Sequence, residues 1–541
     1  MASSWDTIII GAGSAGCVLA DRLSRDPAHK VLLLEAGGSD RRLWVRLPIG
    51  YARTFRDPAV NWMYQTQPEA ALHGRSSYWP RGKVLGGSGS INAMAYVRGL
   101  PQDFDAWRSA GNPGWGWDDV QPFFLRAEDH AGGASPHHGA GGPLHVARID
   151  DRVHPLCTQF LAAADALGIA RNRDFNGPSL HGVGIYPITT RGGWRESTAS
   201  AYLRPALRRP NLALHVQAHA TRILMLGRRA VGVEYCRDGR MLQARARLQV
   251  VLCGGAINSP QLLQLSGMGD AALLAQHGIT AVVDLPRVGQ GLQDHLHITH
   301  TYRARVPTLN DVLRPWHGKL RAALQFAWWR RGPLSMSVNQ AGGFVAIDPG
   351  KVTPELQLYF NPASYASRDA DARRMMQPDP FPGFSMSVHS CRPTSRGSIA
   401  IASADPTEAP RIVPNYLSTE QDIAQALAGA RLLRRLAGTD ALQSVIASEI
   451  RPGAACASDA DLLDDFRARA DTIFHPVGTC AMGPTPHTAV VDSRLRVHGV
   501  DGLRVVDASV FPSITSANTQ APTIMVAEKA AAMLAEDMRR A

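Results

Sequence analysis

Several features are scarce or absent in this chain of 541 residues. No apolar run reaches the roughly 20 residues that a membrane-spanning helix requires, so we expect no transmembrane helix. Cysteine occurs seven times, at widely spaced positions and without a Cys-x-x-Cys pair. This pattern argues against a disulfide framework and against a thiolate zinc site, and it suits a reducing compartment.

The chain also lacks a basic block, although its formal net charge is +11 at pH 7. Lysine is scarce, and the arginines that supply the charge are scattered. Because nucleic-acid-binding proteins concentrate positive charge in an arm or on one face, we expect no nucleic-acid partner. Short stretches such as "RLLRR" and "LRPALRR" are typical of solvated helix faces, with contact to an anionic membrane surface as the alternative.

Two further absences concern the first residues and the chemistry. The first apolar strand begins almost at residue 1, which leaves no room for the three regions of a signal peptide. We therefore expect a cytoplasmic protein, and peripheral contact with the inner membrane stays open. No G-x-S-x-G sequence occurs, which disfavours a serine hydrolase of the nucleophile-elbow type.

The chain does begin with a clear βαβ pattern. The apolar run "DTIII" leads into "GAGSAG", a helical stretch follows, and "KVLLLEAG" reads as a buried strand that ends on an acid. Gly11, Gly13 and Gly16 have the spacing of a dinucleotide-binding turn, and Glu35 stands where such folds contact a ribose hydroxyl. An acid at this position argues against a dinucleotide that carries a phosphate on the ribose 2′-oxygen, because two negative groups would repel each other.

Strand-like runs of the same kind recur far along the chain, at residues 248–263 and 503–512. Between about residues 300 and 465 the pattern changes to alternating stretches such as "LQLYFNP" and "FSMSVHS", mixed with helical segments. Alternation indicates an antiparallel sheet with one covered face. We therefore predict an α/β protein in which one domain is discontinuous and a second domain is inserted into it.

Four motifs together resemble one family. "RGKVLGGSGSINAMAYVRG" (81–99) resembles the first signature of the glucose-methanol-choline family of FAD oxidoreductases, and "GGAINSPQLLQLSGMG" (254–269) resembles its second. "GQGLQDHL" (289–296) and "RVVDASVFPSITSANTQAPTIMVAEKAA" (504–531) resemble its middle and C-terminal motifs. The resemblance covers nearly the whole chain in family order, and it looks closest to the bacterial choline and alcohol dehydrogenase branch.

This resemblance implies a Rossmann-like FAD-binding domain with an inserted α+β substrate domain built on an antiparallel sheet. We assign the FAD-binding domain to residues 1–150, 196–300 and 470–541. The substrate-binding domain takes residues 151–195 and 301–469. The implied reaction is oxidation of a primary alcohol, aryl or aliphatic, to an aldehyde by hydride transfer to flavin N5.

The resemblance also assigns the catalytic pair. His475 in "FHPVGTCAMG" matches the family's base, which takes the alcohol proton beside flavin N5, and Asn518 matches the partner of that base. From the residues alone, Pro476 restricts the backbone of His475. An imidazole is suited to accept a proton near neutral pH, and an amide can bind the same oxygen without competing for that proton.

The remaining residues implied by the resemblance would bind FAD. They lie in the glycine-rich loops, at two strand ends and at the start of the C-terminal helix: Gly11, Gly13, Ser14, Ala15, Gly16, Glu35, Ala36, Gly86, Gly87, Ser88, Asn92, Ala93, Met94, Ala95, Ala220, Gly254, Asp507, Ala508, Asn518, Thr519 and Gln520. Members with covalent flavin carry histidine where this chain has Ile91, so we expect non-covalent FAD. We also expect the C-terminal helix to begin near Pro522 with its positive end toward the flavin.

One residue that differs from the choline-acting branch of the family predicts the choice of substrate. Gln340 stands where the choline-acting branch carries glutamate, which argues against choline because a buried quaternary ammonium favours a carboxylate. Choline dehydrogenase and hydroxynitrile lyase remain the alternatives. Candidate pocket walls are Phe474, Trp328, Trp329, Tyr359 and Phe360. The electron acceptor, oxygen or a quinone, and the oligomeric state are left open.

Two other readings compete for these residues. His295, His297 and His300 lie close together in "DHLHITH", but no recognised metal spacing completes the set, so we expect no metal site. Cys480 follows His475 by five residues, and we expect it to pack as a small apolar side chain rather than to act as a nucleophile.

Overall fold

The computed structural model describes residues 4–348, 350–351, 353–365 and 377–540. Two seven-stranded sheets organise these residues. The first sheet has the strand order Leu212–His215, Val31–Leu34, Ser4–Ile10, Arg240–Leu252, Arg229–Arg237 and Ala218–Leu226, and Leu503–Val505 pairs beside Arg240–Leu252.

The first sheet is parallel at its centre. The strand Ser4–Ile10 pairs in parallel with Val31–Leu34 and with Arg240–Leu252, and Leu503–Val505 joins the latter in the same direction. Ile, Val and Leu fill the central segments 8–10, 31–34 and 250–252, which are buried on both faces. Their carboxyl ends therefore meet at one edge, which is where open α/β sheets bind ligands.

Two helices cover one face of this sheet and pack on each other, Ser14–Leu23 and Gln520–Arg540. Gly16 allows the first of them to approach the sheet closely, because a Cβ there would lie 1.9 Å from the carbonyl oxygen of Gly11. The C-terminal helix begins at Gln520, two residues before the expected start near Pro522.

The second sheet is antiparallel throughout. Its strand order is Ile446–Arg451, Leu296–Ala304, Gly383–Ser390, Leu356–Asn361, Ala341–Val345 and Gly182–Ile185, and Asp471–Thr472 also pairs with Leu296–Ala304. The expectation of a mixed α/β fold with a second, antiparallel sheet is thus confirmed. The strand Leu296–Ala304 runs across residue 300, where the sequence suggested a domain boundary.

The other elements of the described residues connect and cover these sheets. Further helices are Leu43–Arg46, Tyr51–Thr54, Pro101–Ser109, Trp117–Ala127, Leu156–Ala166, Arg204–Ala206, Gly255–Leu265, Ala271–Gln276, Leu309–Leu313, Trp316–Trp329, Glu420–Ala437, Asp440–Gln443 and Asp459–Arg469. Two-stranded sheets pair Tyr64–Gln65 with Tyr78–Trp79, Glu128–His130 with Leu144–Val146, Thr190–Arg191 with Trp194–Arg195, and Met268–Gly269 with Val283–Asp284. A three-stranded sheet has the order Gln290–Leu292, Gly397–Ala400 and Arg411–Val413. None of the helices in the described residues is both long and apolar enough to cross a bilayer.

Candidate active site

A cavity of about 830 Å³ begins at the carboxyl edge of the first sheet and reaches the antiparallel sheet. Nearly all residues predicted to bind cofactor line it: Gly11, Gly13, Ser14, Ala15, Glu35, Ala36, Gly87, Ser88, Asn92, Ala93, Met94, Ala95, Ala220, Gly254, Asp507, Ala508, Asn518, Thr519 and Gln520. Gly16 and Gly86 do not line the cavity. Each is in close contact with protein atoms instead.

The two glycine-rich loops touch at the cavity wall. A Cβ on Gly87 would lie 2.8 Å from Cα of Gly13, and Gly11 has a φ of +98°, which disfavours any side chain. No side chain caps the first turn of the helix Ser14–Leu23. Its backbone N–H groups and positive dipole end are therefore directed to the cavity wall, an arrangement that fits a diphosphate.

Glu35 directly follows the strand Val31–Leu34 and lines the same cavity. Its carboxylate accepts the N–H of Ala12 at 2.8 Å and the N–H of Gly37 at 2.7 Å. Burial raises the pKa of Glu35 to about 7. A carboxylate can accept about four hydrogen bonds, so acceptor positions remain for a ribose hydroxyl.

Gln520 provides an independent sign that the cavity suits a polar ligand. Its Oε1 accepts a hydrogen bond from Nδ2 of Asn92. Its Nε2 is buried at the cavity and has no hydrogen-bond partner among the described residues. Since buried polar groups are almost always paired, the amide of Gln520 fits a polar acceptor on a bound cofactor.

His475 lies at the other end of the cavity and contacts two polar side chains. Its Nδ1 is 2.9 Å from Nδ1 of His295, and its Nε2 is 3.2 Å from Nδ2 of Asn518. His295 Nε2 is in turn 2.9 Å from the carbonyl oxygen of Cys391. A carbonyl only accepts, so His295 carries its proton on Nε2 and accepts at Nδ1. His475 therefore donates from Nδ1, and its Nε2 lone pair receives the Asn518 N–H.

Burial keeps both imidazoles neutral, and neighbouring positive charge adds to this effect at His475. Desolvation lowers the pKa of His475 well below its ordinary value, and the neighbouring His295 and Arg81 lower it further. Burial lowers the pKa of His295 to about 4. A neutral His475 can accept a proton at Nε2 from a bound group that takes the place of the Asn518 N–H there.

The backbone around His475 is held from both sides. Phe474 has a φ of +72°, and its carbonyl oxygen accepts Nη2 of Arg81 at 2.8 Å. The N–H of His475 donates to Oδ1 of Asp294 at 2.7 Å, and the Tyr416 hydroxyl donates to the other oxygen of this carboxylate. These contacts hold the backbone of residues 474 and 475, which places the imidazole. Phe474 needs such support because it is a non-glycine residue in the left-handed region.

Asn518 is oriented by the antiparallel sheet. Its Oδ1 accepts Nε2 of Gln357 at 3.3 Å, and its Nδ2 lies 3.2 Å from the hydroxyl of Tyr359. Gln357 and Tyr359 belong to the strand Leu356–Asn361. The second sheet therefore turns the amide so that its N–H faces His475.

The cavity wall near His475 includes a group of aromatic side chains. Phe474 meets Phe55 edge to face with ring centroids 5.1 Å apart, and Tyr51, Val338 and Tyr359 lie in the same wall. Among the described residues, the carboxylates that line the cavity are Glu35 and Asp507. Asp507 accepts hydrogen bonds from Gly255 and Ser259 beside the glycine-rich loops, so neither is part of the wall around His475.

Three predicted pocket walls were wrong, while Phe474 and Tyr359 line the cavity. Trp328 and Trp329 are 70% and 68% exposed on a surface helix. Phe360 points to the other face of its strand and packs against Phe160 and Phe384, because side chains alternate along a strand.

The interpretation of Gln340 also needs correction. This side chain is buried outside the cavity lining, and its Oε1 accepts the N–H of His154 at 2.7 Å and lies 3.7 Å from the Cys157 thiol. Gln340 therefore ties two segments together and cannot meet a substrate in this position. Its neighbour Asn339 lines the cavity instead.

The histidine cluster separates in space. His295 binds His475, His297 lines the cavity, and His300 is buried elsewhere. The part of the chain that the structure describes has no group of three or more His, Cys, Asp or Glu side chains placed to hold a metal. Cys480 is fully buried in the core of the first sheet, and burial raises the pKa of its thiol.

Sequence reasoning missed three residues of the site. His295 was considered only as a metal ligand, and neither Asp294 nor Arg81 was considered. The "QDH" of the middle motif could have suggested a role beside the base, since it places an acid and an imidazole before a strand. Nothing in the sequence indicates that Arg81 reaches the carbonyl of Phe474.

Comparison with known proteins gives the family. A model of GMC oxidoreductases matches residues 5–297, and its C-terminal counterpart matches residues 393–527. The chain belongs to the GMC oxidoreductase family. This confirms the resemblance of the four motifs and the expectation of an oxidoreductase.

Relatives of this GMC oxidoreductase span nearly its whole length. "Alcohol dehydrogenase [acceptor]" of Pseudomonas putida is 42% identical over 98% of this chain and 95% of its own. The mitochondrial choline dehydrogenase of Homo sapiens is 44% identical over 97% of this chain and 88% of its own. An FAD-dependent oxidoreductase of Chaetomium thermophilum has a solved structure that is 25% identical, with a TM-score of 0.89, over 99% of this chain and 100% of its own.

Proposed function

We propose that this GMC oxidoreductase oxidises an uncharged primary alcohol, aryl or aliphatic, to an aldehyde with FAD as hydride acceptor. The observation that carries the proposal is the neutral His475, whose Nε2 lone pair meets the Asn518 N–H at the end of an aromatic cavity. The alcohol dehydrogenase of Pseudomonas putida, 42% identical, supports the choice of alcohol.

The residues of the cavity fit FAD. The loop at Gly11 and Gly13 with the following helix would hold its diphosphate, Glu35 would hold a ribose hydroxyl, and the unpaired Gln520 amide would meet a polar atom of the cofactor. Ile91, which lines the cavity, offers no nucleophile, so FAD would be held without a covalent bond. Bound FAD supplies the chemistry that the side chains lack, acceptance of a hydride.

The side chains handle the proton. The substrate hydroxyl would replace the direct contact between His475 Nε2 and Asn518 Nδ2, which are 3.2 Å apart. It would donate its proton toward His475 and accept the N–H of Asn518. As hydride leaves the carbinol carbon, His475 takes the hydroxyl proton at Nε2. His295 Nδ1 then accepts a stronger hydrogen bond from the charged imidazole, which stabilises it.

The division into an FAD-binding domain, with residues 1–150, 196–300 and 470–541, and a substrate-binding domain, with residues 151–195 and 301–469, remains part of this proposal. The base and its partner come from the first set, and Gln357 and Tyr359 from the second. Catalysis would therefore require both. The electron acceptor stays open between oxygen and a quinone.

Choline oxidation is the second candidate, and the human choline dehydrogenase at 44% identity favours it. The site argues against it, because no carboxylate of the described residues lines the cavity beside His475 and Arg81 lies close by. Hydroxynitrile lyase activity would use the same base without redox. Flavin absorbance that no alcohol bleaches, together with cyanide release from a cyanohydrin, would replace our proposal with that one.

The substitution His475→Ala tests the proposal. Under anaerobic conditions, the variant should keep its FAD but slow flavin reduction by an alcohol at least about 10²-fold, the usual effect of losing a general base. The control is His487→Ala, which removes an exposed histidine. Acid precipitation should release intact FAD from all three proteins. Near-normal reduction in His475→Ala would remove this residue from the mechanism, and flavin held in the pellet would contradict non-covalent binding.

A further inference from the structure

One helix carries an apolar face that no other described part of the chain covers. In the helix Trp316–Trp329, the residues Gly318, Ala322 and Phe326 are buried against the protein. Five large apolar side chains of the same helix are exposed, Trp316 76%, Leu320 51%, Leu324 43%, Trp328 70% and Trp329 68%. We call these five residues the outer face.

The geometry of the helix directs four residues of the outer face away from the protein, whereas Trp329, about 220° from Trp316, is exposed at the last position of the helix. Trp316, Leu320, Leu324 and Trp328 are spaced four apart, and each of the first three precedes a buried residue by two positions. Two positions correspond to a rotation of about 200°. The exposed stripe therefore lies opposite the packed stripe, and the helix is apolar on both sides, although a surface helix normally presents polar residues to water.

The helix Trp316–Trp329 and the residues that flank it carry charges of one sign. No Asp or Glu occurs between Asp311 and Asp348, whereas five cations do: Arg314, Lys319, Arg321, Arg330 and Arg331. All five are exposed, although the Arg330 guanidinium lies over the rings of Trp194 and Phe326. Lys319 and Arg321 lie on opposite sides of the apolar stripe, about 60° before Trp316 and about 140° after it. Their side chains can extend to an anionic surface while the stripe is buried.

We propose that the outer face docks this protein on an anionic lipid bilayer, with the helix Trp316–Trp329 lying in the membrane interface. Tryptophan and leucine on one face, bordered by lysine and arginine, are the composition of helices that lie in this region. Negative headgroups complement the five cations, which a second copy of this basic surface would not.

The docked helix is adjacent to the cavity. The preceding helix, Leu309–Leu313, packs on it and contributes Leu309 to the apolar cluster of Tyr51 and Phe55, and Phe474 packs against that cluster. Val338, which follows the docked helix, lines the cavity. The bilayer would therefore lie on the side of the molecule that bears the aromatic wall. Apolar alcohols are concentrated in lipid, so substrate would be close to the cavity. Docking itself does not depend on the proposed reaction.

Cosedimentation of the full-length FAD-containing protein with vesicles tests docking. The wild type should bind vesicles of equal parts phosphatidylcholine and phosphatidylglycerol, and bind those of phosphatidylcholine alone far more weakly. Trp316→Ser/Trp328→Ser should weaken binding by at least about tenfold. Lys319→Glu/Arg321→Glu should weaken binding to the anionic vesicles by about fivefold or more per cation.

Matched controls change equally exposed residues elsewhere. Leu226→Ser removes a leucine that is 73% exposed, and Arg228→Glu/Arg240→Glu reverses two exposed arginines. Both should bind as the wild type does. Alcohol oxidation with a soluble dye as acceptor should stay unchanged in all variants, which separates docking from the proposed reaction.

Three results would overturn the proposal. The first is a wild type that does not sediment with anionic vesicles. The second is equal binding by the tryptophan variant and the Leu226→Ser control. The third is a lipid-free dimer, measured by light scattering, that Trp316→Ser/Trp328→Ser converts to a monomer. This last result would assign the outer face to a second copy of the chain.

Discussion

At the scale of single residues, the chemistry depends on the nitrogen of His475 that carries the proton. Burial disfavours the charged imidazole, so the pKa of His475 lies well below its ordinary value and the base stays deprotonated as the pH falls. The profile of kcat/KM against pH should therefore stay flat down to about 6.5, and the acid limb should begin below that value. An acid limb centred at or above 6.5 would mean that His475 is not the group whose protonation ends activity.

His295 is a positioning residue in this scheme, because its Nδ1 accepts the Nδ1–H of His475. His295→Leu removes the acceptor and leaves the imidazole free to carry its proton on Nε2. We expect kcat to fall at least about tenfold, as when a catalytic histidine loses the group that fixes its tautomer. His295→Asn keeps an acceptor at the same place and should restore most of kcat. Equal loss of kcat and of FAD content in both variants would indicate a purely structural role.

At the scale of elements, the start of the C-terminal helix positions Asn518 at the cavity. It begins at Gln520, two residues after Asn518, and it is held by the fully buried Glu528. The carboxylate accepts Nε and Nη2 of Arg22 at 2.8 Å and 2.6 Å, and the hydroxyl of Tyr202 at 2.9 Å. This network ties the helix to Ser14–Leu23, whose own first turn lies at the cavity.

Glu528→Ala should therefore lower the free energy of unfolding by about 3 kcal/mol, because the buried Arg22 guanidinium loses its bidentate partner and keeps only Asp21, 3.1 Å away. The matched control is Glu536→Ala on the same helix, which removes a partly exposed pair with Arg494 and should cost about 1 kcal/mol or less. Denaturant unfolding of both variants measures the difference. Equal destabilisation by the two would contradict a special role for the buried pair.

Local sequence pattern predicted individual turns and strands of this fold. Glycine spacing after "DTIII" located the diphosphate turn, because only glycine permits the contact of the Gly11 carbonyl with Gly16. Alternation predicted the strands Leu356–Asn361 and Gly383–Ser390. The direction of individual side chains could not be read in this way. Gln340 follows Asn339 and Phe360 follows Tyr359, both of which line the cavity, yet Gln340 and Phe360 face away from it.

At the scale of the whole molecule, the cavity is a product of both sheets. The parallel centre supplies the glycine-rich loops, and the antiparallel sheet supplies the Gln357 and Tyr359 contacts that orient Asn518. Contacts of this kind join residues more than a hundred positions apart, so local pattern does not reveal them. The contact between His475 and His295, 180 positions apart, is of this kind and was missed.

Substrate choice follows from the same assembly. The wall around His475 is formed by Tyr51, Phe55 and Phe474, and an apolar chain buried there gains about 0.8 kcal/mol per methylene. A trimethylammonium group would lose its hydration beside Arg81, and the described residues offer it no carboxylate in return. We therefore expect kcat/KM to be higher for hexanol and benzyl alcohol than for choline, measured side by side with one dye as acceptor. The aromatic wall could also favour a cation through its ring faces, and if choline is the best of the three substrates, that attraction outweighs the missing carboxylate and the protein is a choline dehydrogenase.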